Sequence, residues 1–368
     1  MTALLEAAPP PVRDPRIRVM VVDDSAIVRG LIVQLLEHDP GILVVARAAQ
    51  GEAALSELDR TPVDIVVLDI EMPVMDGMTA LPLILKKHPE VKVIMASTLT
   101  RRNARISLQA LQAGAADYVP KPETGGLVGA EEFARELTAK VKALGQARGR
   151  GRAATTAAPA TPPAHPASVV RAAPLSPPVR PQVLAIGGST GAPPALMSLF
   201  ADLKGELEQA VLLTQHMPPT FTAMLAEQLE RTGERPAAEA RDGEPILPGR
   251  IYVAPGGWHM TVGRSGKVPV IRLNQEQPEH FCRPSVDPML RSAAAVYGPG
   301  VLAVILTGMG ADGADGCRVV AEAGGRFVVQ DEATSVVWGM PGAAARTGLA
   351  EAVLPLNQIA PWVRRACA

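Results

Sequence analysis

The chain has 368 residues, 36 basic and 37 acidic side chains, a formal charge of −1, 47% apolar residues and 20% charged ones. That length asks for two or three domains, and the composition is that of a globular protein. A near-neutral chain with no basic stripe has no electrostatic footprint for nucleic acid or an anionic membrane, which argues against a DNA-binding output domain.

The longest uninterrupted apolar run, residues 301–306, falls far short of the roughly 20 residues that span a bilayer, so the chain is not expected to be membrane-embedded. Residues 1–16, rich in Pro and Ala, lack a basic region followed by an apolar core; they read as a frayed extension rather than a secretory signal. Cys282, Cys317 and Cys367 are odd in number and widely spaced, giving neither a disulfide framework nor a CxxC metal clip; a cytoplasmic location is expected.

Residues 17–145 alternate short apolar runs with helical patterns. Strands are predicted at 17–22, 42–47, 64–68, 91–97 and 117–119, with an amphipathic helix over 26–37 that spaces Ile27, Leu31 and Leu35 along one face. Alternation of this kind implies a parallel sheet covered on both faces, with functional groups gathered at the carboxyl ends of the strands. Residues 146–181 hold eight prolines, ten alanines, five arginines and no acid. Such a segment reads as a semi-extended flexible linker, because it has too little apolar side chain to offset its ordering entropy. Residues 182–365 alternate again, with strands predicted at 183–186, 210–213, 251–253, 301–306 and 327–329, and helices at 195–203, 220–228, 289–296 and 316–322. The expected fold class is α/β, two doubly wound parallel-sheet domains.

In the first unit the strand 17–22 runs into Asp23 and Asp24, and the strand 64–68 into Asp69, followed by Ile-Glu-Met-Pro-Val-Met-Asp-Gly. If these strands are neighbours, three carboxylates converge at one sheet edge. Their mutual repulsion asks for a hard divalent cation, and Mg²⁺ suits such oxygens. A carboxylate there can attack a phosphoryl donor when cationic groups neutralise the transferring charge. Lys121 can supply an ammonium and Ser97 a hydroxyl. The alternative, that strand-end acids cap the following helices, accounts for one such residue but not for features at four strand ends. This set resembles the receiver domain of two-component response regulators, through Asp-Asp-Ser, Leu-Asp-Ile-Glu-Met-Pro-x-Met-Asp-Gly, Ser97, Tyr118 and Lys121-Pro122. The resemblance implies a flavodoxin-like fold and Asp69 as phospho-acceptor. It also implies Mg²⁺ on Asp24, Asp69 and the Glu71 backbone carbonyl, with Asp23 just behind, and Ser97 and Tyr118 as switch positions.

In the second unit the strand 183–186 leads into Gly187-Gly188-Ser189-Thr190-Gly191 and then a helix. Strand, G-x-S-x-G and helix form the context of a nucleophile elbow. A phosphate-cradling loop would need the Gly-Lys-Ser/Thr ending or the G-x-G-x-x-G spacing, and both are missing. A serine needs a base. Among the six histidines His38 and His88 fall in the first unit, His165 in the linker, and His259 and His280 in Gly- or Pro-rich loops. His216 directly follows a strand. The carboxylate that orients it is expected in Thr-Gly-Met-Gly-Ala-Asp-Gly-Ala-Asp-Gly, residues 307–316, where Asp312 and Asp315 are both candidates and Asp287 is a weaker one. Backbone N–H groups in these small-residue turns, at Gly188 and Met309, are candidate oxyanion donors.

Ile-Gly-x-Ser-Thr-Gly, Gln-His-Met-Pro, Asp-Gly-Glu-x-x-Leu-Pro-Gly, Ala-Pro-Gly-x-x-His-Met, Arg-Pro-Ser-Val-Asp, Leu-Thr-Gly-Met-Gly-x-Asp-Gly and Gly-Met-Pro occur in order across residues 184–342. Together they resemble the chemotaxis protein-glutamate methylesterase domain, a Rossmann-like hydrolase that needs no cofactor. That resemblance implies a triad of Ser189, His216 and Asp312, and hydrolysis of glutamate methyl esters and glutamine amides. It implies methyl-accepting chemotaxis receptors as substrates and a chemotaxis histidine kinase as phosphodonor. Gly188 and Ala192-Pro193 depart from the family's usual Gly-Ala-Ser-Thr-Gly-Gly. The rival reading is a phosphorylation-controlled binding module whose second domain has lost catalysis; the intact Ser, His and Asp set speaks against it.

Overall fold

Runs of Val, Ile, Leu and Met buried on both faces form the first sheet in the computed structural model. The structure describes residues 14–98, 100–121, 127–155, 179–204 and 207–368, with the side chains of 127–130 and 147–155 left out. Strands β1 (Ile17–Val22), β2 (Ile42–Ala48), β3 (Ile65–Asp69), β4 (Lys92–Ser97) and β5 (Asp117–Pro120) pair in parallel in the order β2-β1-β3-β4-β5. This is the flavodoxin-like order, whose switch point lies between β1 and β3. Asp23 and Asp69 therefore end adjacent strands. Helices α1 (Ala26–Glu37), α2 (Gly51–Leu58), α3 (Gly77–Lys87), α4 (Arg101–Gln112) and α5 (Leu127–Thr155) cover the faces.

Helix α5 runs ten residues into the segment read as a linker. The first proline of that segment is Pro159, and the Ala and Arg before it are good helix formers. Residues 156–178 of the expected linker, and residues 1–13 of the expected extension, lie outside the described residues.

The second unit comprises β6 (Val183–Gly188), β7 (Ala210–Gln215), β8 (Ala237–Glu239), β9 (Ile251–Val253), the hairpin strands β10 (His259–Ser265) and β11 (Val268–Asn274), and β12 (Val301–Ile305), β13 (Arg326–Gln330) and β14 (Ala352–Leu354). Its main sheet is parallel throughout, in the order β14-β13-β12-β6-β7-β9-β8. The chain winds outward from β6 to one side and returns to the other at β12, so the switch point falls between β6 and β12. A crevice at their carboxyl ends is the expected binding place. Helices α6 (Ala192–Asp202), α7 (Pro219–Gly233), α8 (Val286–Tyr297), α9 (Ala314–Glu322), α10 (Met340–Ala345) and α11 (Leu356–Cys367) complete the layers. The antiparallel β10–β11 pair is an addition that the alternating pattern did not announce, although Ser265-Gly266 between two apolar-alternating runs is a hairpin signal.

The two units meet at the crevice end of the second sheet. Helix α4 packs on α6 and α7, Tyr118 stacks on Phe221, and Val337 joins the apolar cluster of Phe133, Leu137 and Val141. Among the described residues no helix is long and apolar enough to cross a membrane.

Candidate active site

Ser189 sits in the turn between β6 and α6. Gly191, next but one, has φ 78° and caps the helix, and a Cβ there would lie 2.5 Å from the Val336 side chain; only glycine fits both demands. The Ser189 N–H donates to Thr307 O at 3.1 Å, and Gln215 Nε2 donates to Ser189 O at 3.0 Å. The 307–310 turn comes so close that a Cβ on Gly308 would lie 2.9 Å from Ser189 Cβ. The small residues after β12 thus permit the approach of two loops at the nucleophile.

His216 follows β7, and its N–H donates to Gly188 O at 3.2 Å, which ties it to the end of β6. His216 Nε2 lies 2.7 Å from Asp312 Oδ2. Asp312, 1% exposed, also accepts the Val286 N–H at 2.6 Å and the Asp287 N–H at 3.0 Å. Those are orphan donors of the first turn of α8, and the helix dipole favours a carboxylate there. The Ser285 N-cap has no side-chain cap bond, so Asp312 satisfies this helix end from a distant loop. Burial works to raise the Asp312 pKa, but His216 and the two N–H donors outweigh it and hold the carboxyl well below its ordinary range. Burial likewise works to lower the His216 pKa, but the Cys282 sulfur and Asp312 prevail and push it up to about 10.

The remaining candidates separate cleanly. Asp315 pairs with Arg318 at the surface, three residues on in α9. Asp287 is buried, accepts the Gly316 N–H at 2.6 Å and pairs with His280 at 2.9 Å. Its pKa is raised by burial and by the neighbouring Asp312. His280, Asp287 and Asp312 offer atoms within 4.8 Å of one another, but each carboxylate oxygen already accepts a hydrogen bond. His259 is buried between Gln277 O and the Ser285 N–H, His38 and His88 lie far along the first unit, and His165 is outside the described residues. Met309 packs against the apolar cluster of the first unit, and among the described residues its N–H donates to no partner. Gly188 is paired with Gln215 in the sheet.

At the first unit's crevice, Asp23, Asp24 and Asp69 offer oxygens within 4.8 Å of one another. Lys121 Nζ lies 2.7 Å from both Asp23 Oδ2 and Asp69 Oδ1. Helix capping is done by others: Ser25 caps α1 and Asp76 caps α3, which leaves Asp69 free of that role. Burial, the largest influence, raises the Asp69 pKa, with Lys121 opposing and Asp23 adding to it. Ser97 is buried and receives the Ser107 hydroxyl at 3.0 Å. Tyr118 is turned into the other unit against Phe221, with ring centroids 4.3 Å apart.

Two neighbours escaped sequence reasoning. Thr190 Oγ1 donates to Asp117 Oδ2 at 2.6 Å across the buried boundary, and Lys140 Nζ lies 3.3 Å from the same carboxylate. Cys282 Sγ stands 3.3 Å from His216 Nδ1. Its place directly before Arg-Pro-Ser-Val-Asp was a signal, but nothing in the spacing paired it with His216.

Residues 184–363 match the family model of CheB methylesterase and residues 19–128 that of the response regulator receiver domain. The chain is 53% identical to a protein-glutamate methylesterase/protein-glutamine glutaminase of Rhodospirillum centenum, over 95% of this chain and 94% of that one. It is 51% identical to the protein of the same name from Azospirillum brasilense, over 95% and 92%. Among solved structures, the CheB methylesterase catalytic domain of Thermotoga maritima is similar at 37% identity and TM-score 0.49, covering 51% of this chain and 99% of that one.

Proposed function

Because this chain belongs to the protein-glutamate methylesterase/protein-glutamine glutaminase family, with a receiver domain in front of its CheB methylesterase domain, we infer that Ser189, His216 and Asp312 hydrolyse receptor glutamate esters under the control of phosphorylation at Asp69. The substrates are methyl-accepting chemotaxis receptors, the phosphodonor a chemotaxis histidine kinase, and the compartment the cytoplasm. The units are a receiver over about 17–145 and a hydrolase over about 182–365. One observation carries the reading: a His216–Asp312 pair at 2.7 Å, its carboxylate buried and its imidazole partly so, stands beside the Ser189 turn.

Ser189 Oγ attacks the ester carbonyl while His216 Nδ1 takes its proton, since Nε2 is committed to Asp312. Asp312 fixes that tautomer and steadies the imidazolium. The Met309 N–H, without a partner among the described residues, is the donor for the oxyanion, while Gly188 stays paired in the β6–β7 ladder. The proton returns from His216 to the departing methoxide, methanol leaves, and water then cleaves the acyl-serine to free glutamate. A glutamine follows the same path with ammonia as leaving group, more slowly because an amide is the harder substrate.

In the receiver, three clustered carboxylates opposed by one lysine suit a divalent cation of hard character. Asp24, Asp69 and the Glu71 carbonyl would hold Mg²⁺, with Asp23 behind them. The ion would neutralise charge on the transferring phosphoryl group. Asp69 accepts that group, and Lys121 and Ser97 pair with its oxygens. The test is methanol release from methylated receptor membranes with and without a phosphodonor. Release that is independent of Ser189 would sink the reading.

A further inference from the structure

His216 has two ring nitrogens and two neighbours, and the serine is not one of them. Nε2 is held by Asp312 at 2.7 Å, and Cys282 Sγ lies 3.3 Å from Nδ1. Among the described residues the Ser189 hydroxyl makes no hydrogen bond. Whichever of the sulfur and Nδ1 carries the proton, the nitrogen needed to deprotonate Ser189 is engaged by the sulfur.

The loop that delivers Cys282 has an unusual backbone and contacts on both sides. His280 and Phe281 have φ of 52° and 62°, a left-handed backbone that side-chain-bearing residues rarely adopt. His280 is drawn to Asp287, and the 82% exposed Phe281 lies under Arg135 of α5, 5.4 Å from guanidinium to ring centre. One side of the Cys282 loop therefore touches the receiver and the other touches the base. The only other thiols, Cys317 and Cys367, are buried elsewhere.

We propose that Cys282 is a positioning residue that occupies His216 Nδ1 while the receiver is docked, so that the base reaches Ser189 only after the sulfur gives way. This rests on the triad assignment above. The groups facing His216 are Asp312 and Cys282, with Asp287, paired to His280, behind Asp312, and Arg291 paired to Glu279 beyond it. In its charged form the sulfur is also the largest influence raising the imidazole pKa. Its removal therefore lowers that pKa and lets His216 act as a base at lower pH.

The experiment uses the full-length unphosphorylated chain and a fluorophosphonate, which reports Ser189 nucleophilicity without a receptor. The labelling rate is followed against pH for the parent chain, Cys282→Ala and Cys282→Ser, with Ser189→Ala as the blank. Both cysteine variants should move the acid limb to lower pH by about one unit or more, read as a roughly tenfold faster reaction below the limb. Cys282→Ser should be the slower of the two, because its hydroxyl still competes for Nδ1. It also keeps the volume of the side chain if the alanine variant folds poorly. Ser189-dependent labelling with an unmoved limb, or slower labelling in both variants, would overturn the inference alone. No Ser189-dependent labelling in any of the three, with phosphodonor added, would remove the triad reading and this inference with it.

Discussion

Tyr118 lies flat on Phe221, with ring centroids 4.3 Å apart and planes 4° apart. The contact joins the last receiver strand to the helix that follows His216. One residue earlier, Asp117 receives the hydroxyl of Thr190, the residue after Ser189, at 2.6 Å in a buried setting. Lys140 backs the joint, donating to Tyr118 O at 2.5 Å and pairing with Asp117 and Glu136. Tyr118 thus touches the helix that follows His216, and its neighbour Asp117 touches the residue after Ser189.

Loosening this joint should raise the resting activity. A stacked aromatic pair contributes about 0.5–1.5 kcal/mol beyond its area burial, roughly two- to twelvefold in the ratio of docked to undocked receiver. Tyr118→Ala should therefore increase methanol release from the unphosphorylated chain by about that factor and reduce the further gain from a phosphodonor. An unchanged resting rate would mean that the stack does not hold the receiver in place.

The first sheet and five of the seven strands of the second were legible because those strands are short apolar runs, and β-branched runs such as Val66-Val67 admit little else, whereas the three-residue edge strands β8 and β14 escaped. The hairpin β10–β11 escaped because its half-exposed alternation does not match the pattern of buried parallel strands. Spacing alone leaves the orienting carboxylate open among Asp312, Asp315 and the weaker Asp287, and only the resemblance chooses Asp312. The physical difference is that Asp312 meets the N-terminus of α8, 25 residues away in sequence, while Asp315 sits in the first turn of its own helix. Pairings across the domain boundary, such as Thr190 with Asp117, leave no periodic trace in either partner's sequence.

Triad residues acting as one unit should lose activity non-additively. Ser189→Ala should abolish methanol release yet leave phosphorylation of Asp69 intact. Once His216 is replaced, Asp312 has nothing to orient, so His216→Ala/Asp312→Ala should be about as slow as the worse single variant. A double variant as slow as the product of the two singles would show that the residues work independently.

At the phosphosite, Asp69→Asn should eliminate acid-labile, hydroxylamine-sensitive phosphate and with it activation by a phosphodonor. Chelation of Mg²⁺ should have the same effect on the parent chain, because it restores the unrelieved repulsion among Asp23, Asp24 and Asp69. Stoichiometric phosphorylation of the asparagine variant would move the acceptor elsewhere.

Asp312 and Asp287 should respond to acid in opposite senses. The Asp312 pKa is lowered in the fold, so its ionised form adds stability above its unfolded value of about 4, and that contribution is lost as pH falls below it. Asp287 is raised, so its cost appears as pH rises above the same value and is relieved in acid. In urea unfolding between about pH 3 and 7, the advantage of the parent chain over Asp312→Asn should shrink toward acid, while its standing relative to Asp287→Asn should improve. Parallel trends for both variants would contradict the assignment.

Removal of the receiver should leave an enzyme that needs no phosphodonor. The docked receiver reaches Thr190, Phe221 and Val337, three positions around the Ser189 crevice, and a receiver on the same chain holds that position at high effective concentration without a strong interface. Phosphorylation at Asp69 would act through Ser97 and Tyr118 on this contact, shifting a population rather than adding a catalytic group. The fragment beginning at residue 182 should therefore release methanol from receptor membranes at the rate of the phosphorylated full-length chain. A receptor helix must enter the crevice, whereas a small ester can pass beside a partial cover, so phosphorylation should accelerate receptor turnover more than small-ester turnover. A fragment no faster than the unphosphorylated full-length chain would overturn the cover and leave direct stimulation by the phosphorylated receiver as the mechanism of control.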